Sequence, residues 1–243
     1  MINTMRDTIK KDVLLSKRMQ MVADMVTKGS VLADIGCDHG FVSIYLIEQK
    51  ICNHVIAMDV NEGPLLRAKQ HIEERGLTEY IDIRLSDGME KLGKKEADGI
   101  LIAGMGGRLV IKILSDYIET AKELKEVILQ PQSEIHLVRQ FLIKQGFHIV
   151  KEDMVEENGK YYPAIKAVFK GENIEDLQEV QQWYGPYLLT KKHPVLLEYL
   201  KKEQSKFSGI LKEIENSGRQ GDSTTKETVI YRQKLIERAL TCF

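Results

Sequence analysis

From residue 30 to residue 169 the apolar residues fall into short buried runs separated by stretches with helical spacing. Val31, Leu32 and Ile35 make a first strand, and residues 41–49 carry Ile44, Tyr45 and Ile47 on a helix. Residues 53–60 read as a second buried strand. The next helix has Pro64 near its start and stops at Gly76 after Arg75. Strands follow at 80–85, 98–103 and 126–130. Gly104-Met105-Gly106-Gly107 and a helix to about Ser115 come after the fourth, and Pro131 closes the fifth. Ser133 is expected to cap a helix reaching Gln145, with Glu134 in its first turn and Gly146 at its end. Upstream, Ser16 is placed to cap a helix over 16–28, in which Met19, Val22, Ala23 and Val26 recur on one face and Gly29 is the stop.

The rhythm changes after Gly146. Residues 147–156 and 161–169 are two strand-like runs joined by Glu157-Asn158-Gly159-Lys160, an Asn-Gly hairpin signal. Five strands alternating with helices and then an antiparallel hairpin resemble the class I methyltransferase fold, a Rossmann-like α/β architecture whose seven-stranded sheet ends in an antiparallel insertion. Beyond Gly171 two long helical patterns follow. Val195, Leu196, Tyr199, Leu200, Phe207, Ile210, Leu211 and Ile214 mark the first, and Val229, Ile230, Leu235, Ile236 and Leu240 the second, with a turn at 216–222. Residues 1–170 are therefore expected to be the methyltransferase domain and 171–243 an α-helical, coiled-coil-like hairpin.

The strand ends carry the chemistry. Asp34, Gly36 and Gly40 follow the first strand, where open α/β sheets bind ligands. A dinucleotide pyrophosphate would meet Asp38 here, two residues after Gly36, and a negative charge there opposes it. A cationic sulfonium ligand with no phosphate, S-adenosylmethionine, suits an acidic loop. Asp59, with Val60 beside it, ends the second strand about 20 residues later, at the position where a carboxylate accepts from ribose hydroxyls. Ser86-Asp87-Gly88 ends the third strand and alone is a turn signal; in the methyltransferase fold that the chain resembles, it is the expected place for an adenine contact. Ala103, Gly104 and Met105 end the fourth, with Gly106 and Gly107 leaving room for a planar methyl acceptor. The Asn/Asp-Pro-Pro-aromatic motif of many amino-methylating enzymes is missing there.

Composition narrows the class without naming a partner. The net charge is −1, so no global basic field announces a nucleic acid, although residues 1–18 hold five basic residues against Asp7 and Asp12. Cys37, Cys52 and Cys242 form no Cys-x-x-Cys pair, which speaks against a disulfide framework and a zinc site and for a reducing, cytoplasmic setting. The first residues lack a signal peptide's apolar core, and no run has the length of a membrane span.

Four motifs, Leu15-Ser16-Lys17-Arg18, Ala33-Asp34-Ile35-Gly36-x-Asp38-His39, Ile102-Ala103-Gly104-Met105-Gly106-Gly107 and Ile128-Leu129-Gln130-Pro131, together resemble the bacterial TrmK family. The resemblance spans residues 15–169 closely and 171–243 more loosely. It implies a tRNA (adenine-N1)-methyltransferase acting at position 22 of the D-arm, with tRNA as partner; S-adenosylmethionine is the expected cofactor, with no metal and a monomer or weak dimer. It also implies Asp38 as the carboxylate facing the target adenine, and His39 either orienting that base or touching the cofactor. Arg18 is then a substrate contact. Tyr161 and Tyr162 are candidates to stack on the extruded base, and Lys10, Lys11, Lys17, Arg18 and Lys160 to meet phosphate. Two other readings stand beside it: a methyltransferase of a small molecule or protein, and a non-catalytic cofactor-binding adaptor.

Overall fold

In the computed structural model, residues 13–171, 176–216 and 223–243 are described. Arg6, Lys10, Lys11 and, apart from Asn216, the expected turn at 216–222 lie outside them. The chain runs α1 (Lys17–Ala23), β1 (Ser30–Ile35), α2 (Phe41–Glu48), β2 (Cys52–Asp59), α3 (Glu62–Arg75), β3 (Ile81–Leu85), β4 (Gly99–Met105) and α4 (Gly107–Asp116). It continues with α5 (Ile118–Glu123), β5 (Glu126–Pro131), α6 (Ile135–Lys144), β6 (Phe147–Glu157) and β7 (Lys160–Phe169). Four helices close it: α7 (Glu179–Tyr184), α8 (Pro186–Thr190), α9 (Pro194–Asn216) and α10 (Ser223–Leu240).

The strands form one seven-stranded sheet in the order β3-β2-β1-β4-β5-β7-β6. The first five run parallel, and β7 enters antiparallel between β5 and β6. That arrangement follows from the connections, because helical crossovers join parallel strands while a two-residue turn can join only antiparallel ones. Asn158 and Gly159 both take positive φ in that turn, as a tight hairpin twisting with its strands requires. Each sheet face is buried by its own apolar layer. Leu32, Val55 and Leu101 point to the side covered by α1, α2 and α3, and Ala33, Ile56 and Ile100 to the side covered by α4 and α6. Among the described residues no helix is long and apolar enough to cross a membrane.

Several expected boundaries shift for identifiable reasons. The first helix stops at Ala23, not near Gly29, because hairpin lysines take the carbonyls beyond it. Lys166 Nζ donates to Met25 O at 2.9 Å and Lys151 Nζ to Asp24 O at 3.3 Å. Ser16 stands at the N-cap position but makes no capping hydrogen bond. Ser133 does not cap α6 either. Its carbonyl and hydroxyl both accept from Gly107 N–H, at 3.1 and 3.3 Å, and Glu134 takes the N-cap position with φ +51°. Strand β4 continues through the expected loop as far as Met105, with a register irregularity at Gly104.

The helices α7 and α8 were not legible as separate elements. They break at Gly185, where a Cβ would lie 2.6 Å from Glu152 Oε2. Around that glycine the C-terminal helices are anchored to the sheet. Arg139 of α6 and Glu152 of β6 form a fully buried ion pair at 2.7 Å. The Arg139 guanidinium also donates to the carbonyls of Gln182 and Trp183, and Glu152 accepts from Tyr187 N–H. The long helices α9 and α10 pack side by side in opposite senses, with Glu203 facing Arg232 and Lys192 Nζ reaching the carbonyl of Phe243.

Candidate active site

The carboxyl ends of β1, β2 and β4 border a cavity of about 590 Å³, within the usual range of small-ligand sites. It opens where the strand order reverses between β1 and β4, the point at which neighbouring crossovers leave toward opposite faces. Asp34 of β1 and Gly36, Asp38 and His39 of the β1–α2 loop line it, as do Asp59 of β2 and Val60 just beyond it. Ser86, Asp87 and Gly88 line it beyond β3, as do Ala103, Gly104 and Met105 of β4 and Arg18 of α1.

Two of these carboxylates are buried. Asp34 accepts a 2.7 Å hydrogen bond from Ser43 Oγ, yet burial raises its carboxyl to about 6. The Ser43 bond opposes that rise and the charge of Asp59 adds to it. Asp59 ties β2 to the glycine loop, accepting from Asn61 N–H at 2.9 Å and Asp38 N–H at 3.3 Å. Its carboxylate is thus held in place before any ligand arrives. The Cys37 thiol beside them is pushed well above its ordinary value by burial and by the charges of Asp34 and Asp59.

Asp38 stands apart from this pair. Its backbone is left-handed, φ +50°, and its side chain is 67% exposed with Oδ1 3.6 Å from His39 Nε2. It therefore presents a carboxylate at the mouth of the cavity, away from the floor. Gly36 has φ +77°, and a Cβ there would lie 2.2 Å from Met105 Cε, so the Met105 side chain crosses the glycine. Ser86 spends its hydroxyl inside the turn, donating to Gly88 O and accepting from Lys91 N–H.

Not every expected contact reaches the cavity. Gly40 does not line it; its missing side chain admits α3, since a Cβ would lie 3.1 Å from Ala68 Cβ. Gly107 is buried against Ser133, where a Cβ would be 2.3 Å from the carbonyl, so it serves packing and not an acceptor. Gly106 is exposed as the N-cap residue of α4 and is not part of the lining. Tyr161 faces the C-terminal helices. It donates to Glu198 Oε1 at 2.7 Å, which raises its phenol to about 12, and its ring lies beside Tyr199. Alternation along β7 turns Tyr162 the other way, beneath the Arg18 guanidinium at 5.5 Å. Lys17 and Lys160 are exposed on either side of Glu157, which accepts from Lys17 N–H at 2.6 Å.

Some lining residues escaped sequence reasoning. Phe41, Leu109 and Ile113 are apolar positions of ordinary helices, and Gln132 follows Pro131 without a motif of its own. Only the sheet topology brings them together. Phe41 is half exposed and stacks between His39 and His71, with ring centroids at 5.6 and 4.8 Å.

The donor set identifies the ligand's charge. Four aspartates line the cavity, and Arg18 is the one Lys or Arg among the described residues that does. Such a wall accommodates a cation and opposes a phosphate chain. With the sheet order above, this site defines a class I methyltransferase, and the family described as "Methyltransferase domain" matches residues 15–165. The tRNA (adenine(22)-N(1))-methyltransferase of Bacillus subtilis is 33% identical over 235 residues, covering 94% of each chain. The crystal structure of the B. subtilis m1A22 tRNA methyltransferase TrmK superposes with a TM-score of 0.81 at 30% identity, covering 93% of this chain and 99% of that one. The Streptococcus pneumoniae protein Sp1610, solved with S-adenosyl-L-methionine, gives 0.82 at 31% identity over 93% and 100%. The chain belongs to the TrmK family.

Proposed function

We propose that this protein transfers the methyl group of S-adenosylmethionine to N1 of adenine 22 in tRNA. The observation that carries the reading is the acidic cavity at the sheet's switch point, in a chain of this family. The residues fit the cofactor: Asp34 would hold its cationic methionine end, Asp59 its ribose, and Asp87 with Gly88 its adenine ring. When bound, S-adenosylmethionine supplies an electrophilic methyl carbon that bonds to N1 as its bond to sulfur breaks, the electron pair staying on sulfur.

Adenine N1 is a neutral nucleophile with a free lone pair, so the protein has no anion to generate. Its task is to position the base and to stabilise the positive charge that develops on it. Asp38, exposed at the mouth, does the second: its carboxylate faces the adenine, lowers the energy of the cationic ring and accepts from the N6 amino group. Because N1 lies on the Watson–Crick edge, the target base enters unpaired or extruded. Arg18, the cationic residue among the described lining, contacts it, with its guanidinium resting over the Tyr162 ring. Residues 1–170 carry the chemistry and 171–243 grip the RNA, in a monomer or weak dimer in the cytoplasm.

The test uses unmodified tRNA transcripts and labelled cofactor, with the modified position mapped. Label is expected at adenine 22 and is lost when that adenine becomes guanine; methylation that survives the change refutes the site. Asp38→Ala is expected to lower kcat about 100-fold with cofactor affinity retained. Wild-type turnover in that variant removes Asp38 from the mechanism.

A further inference from the structure

A base that receives a methyl group at N1 leaves its stack, and it then needs a surface to replace the one it lost. Among the described residues, His39 and Phe41 are the aromatic side chains that line the cavity. The two tyrosines of β7 do not supply that surface, since Tyr161 is turned to Glu198 and the Tyr162 ring carries the Arg18 guanidinium. Phe41 is the first residue of α2, and about half of its surface stays open. Val60 and Leu109, also in the lining, are exposed to a similar degree, whereas Asp34 and Asp59 are buried. The cavity therefore has an apolar rim above an acidic floor.

Phe41 belongs to a cluster of rings. Its centroid, that of His39 and that of His71 from α3 lie 4.8 to 6.0 Å apart, and the ring planes differ by only 11° to 27°. Two contacts fix these nearly parallel rings. His71 Nδ1 donates to the His39 carbonyl at 3.0 Å, because a carbonyl oxygen can only accept. Gly40, packed on Ala68, seats the loop against α3. The cluster is thus ordered before a ligand arrives, and a partner docking on it forfeits little further freedom. Asp38 stands next to it, with Oδ1 3.6 Å from His39 Nε2.

An aromatic ring held open at the mouth of a cavity suits a flat, uncharged partner. A phosphate chain gains nothing from it, whereas either face of a purine does. We propose that the adenine receiving the methyl stacks on the Phe41 ring, which His39 and His71 hold in plane. This rests on the reading above that adenine 22 is the acceptor. The rings then read the face of the base, while Asp38 beside them reads its amino edge. Stacking sets the plane of the base, and the Asp38 contact sets its rotation within that plane, so N1 is aimed by two independent groups.

The experiment measures tRNA affinity with S-adenosylhomocysteine present, on transcripts carrying adenine or an abasic residue at position 22. Phe41→Leu keeps apolar bulk and loses the plane, and Phe41→Tyr keeps the plane. Phe41→Leu is expected to weaken binding of the adenine transcript about tenfold and to leave the abasic transcript unchanged. It should bind S-adenosylhomocysteine as wild type, and Phe41→Tyr should recover most of the lost tRNA affinity. If Phe41→Leu does not fold, the same comparison with His71→Leu, which frees the ring from behind, should show the same selective loss. A loss of equal size on both transcripts overturns the proposal, as does a loss confined to S-adenosylhomocysteine, which would assign the ring to the cofactor. Mapping the methyl separates the two failures. Label at adenine 22 without a selective loss refutes the stacking alone, whereas no label there refutes the acceptor assignment and the stacking with it.

Discussion

Replacing Asp34 by asparagine should stabilise the ligand-free protein while weakening its hold on the cofactor. The Asp34 carboxyl titrates at about 6 in the fold, against an ordinary value of 3.8, chiefly because it is buried. Between those values the unfolded chain has released its proton and the folded chain has not, so stability falls as pH rises through that window. Above pH 6 the full difference applies, about 3 kcal/mol, because each pH unit between the two values contributes about 1.36 kcal/mol. The substituted amide keeps an oxygen for the Ser43 hydroxyl and carries no charge to bury. The stability gap between the variant and wild type should therefore widen by about 2 kcal/mol from pH 4.5 to pH 7.5. In thermal unfolding followed by circular dichroism, the added gap at pH 7.5 corresponds to roughly 4–8 °C for a chain of this size. S-Adenosylhomocysteine should then raise the melting temperature of wild type more than that of the variant, because the buried charge is kept for a cationic partner. A gap that stays constant across this pH range would refute the argument that burial, held for a ligand, sets the Asp34 proton affinity.

Two further outcomes follow from the packing. Gly36→Ala places a methyl where Met105 Cε lies, at a backbone with φ +77°, and should cost about 1–3 kcal/mol in chemical denaturation along with most cofactor affinity measured by calorimetry. Adding Met105→Ala should relieve the clash but not the backbone strain, so only part of the loss returns. Arg139→Met strands the Glu152 carboxylate in the interior and should destabilise by about 3–5 kcal/mol, whereas Arg139→Met with Glu152→Leu should be less destabilising than the single change. Equal stability of the single variant and wild type would mean that the pair is not the anchor described above.

The alternation of strands and helices was legible because each strand's apolar run ends in a glycine, a carboxylate or a proline that cannot continue it. Residues 34, 36, 38, 59 and 87 could be read as one site because parallel strands deliver their ends to one edge of the sheet. Sequence could not separate a glycine that opens space for a ligand from one that admits a neighbour. Gly36, Gly40 and Gly107 look alike in the chain, and only the first lies in the cavity. Nor could it say which way β7 faces, and that sends Tyr161 to the C-terminal helices and Tyr162 to Arg18.

The buried ion pair between α6 and β6 also bears on how the polypeptide is made. Arg139 and Glu152 leave the ribosome before the peptide groups that complete their hydrogen bonding, the carbonyls of Gln182 and Trp183 and the amide of Tyr187. A nascent chain that has exposed the whole sheet therefore still holds an ion pair short of three of its partners. The sheet's buried pair reaches its final hydrogen bonding only after residue 187 has emerged, so the segment around 182–187 completes the packing of elements made well before it.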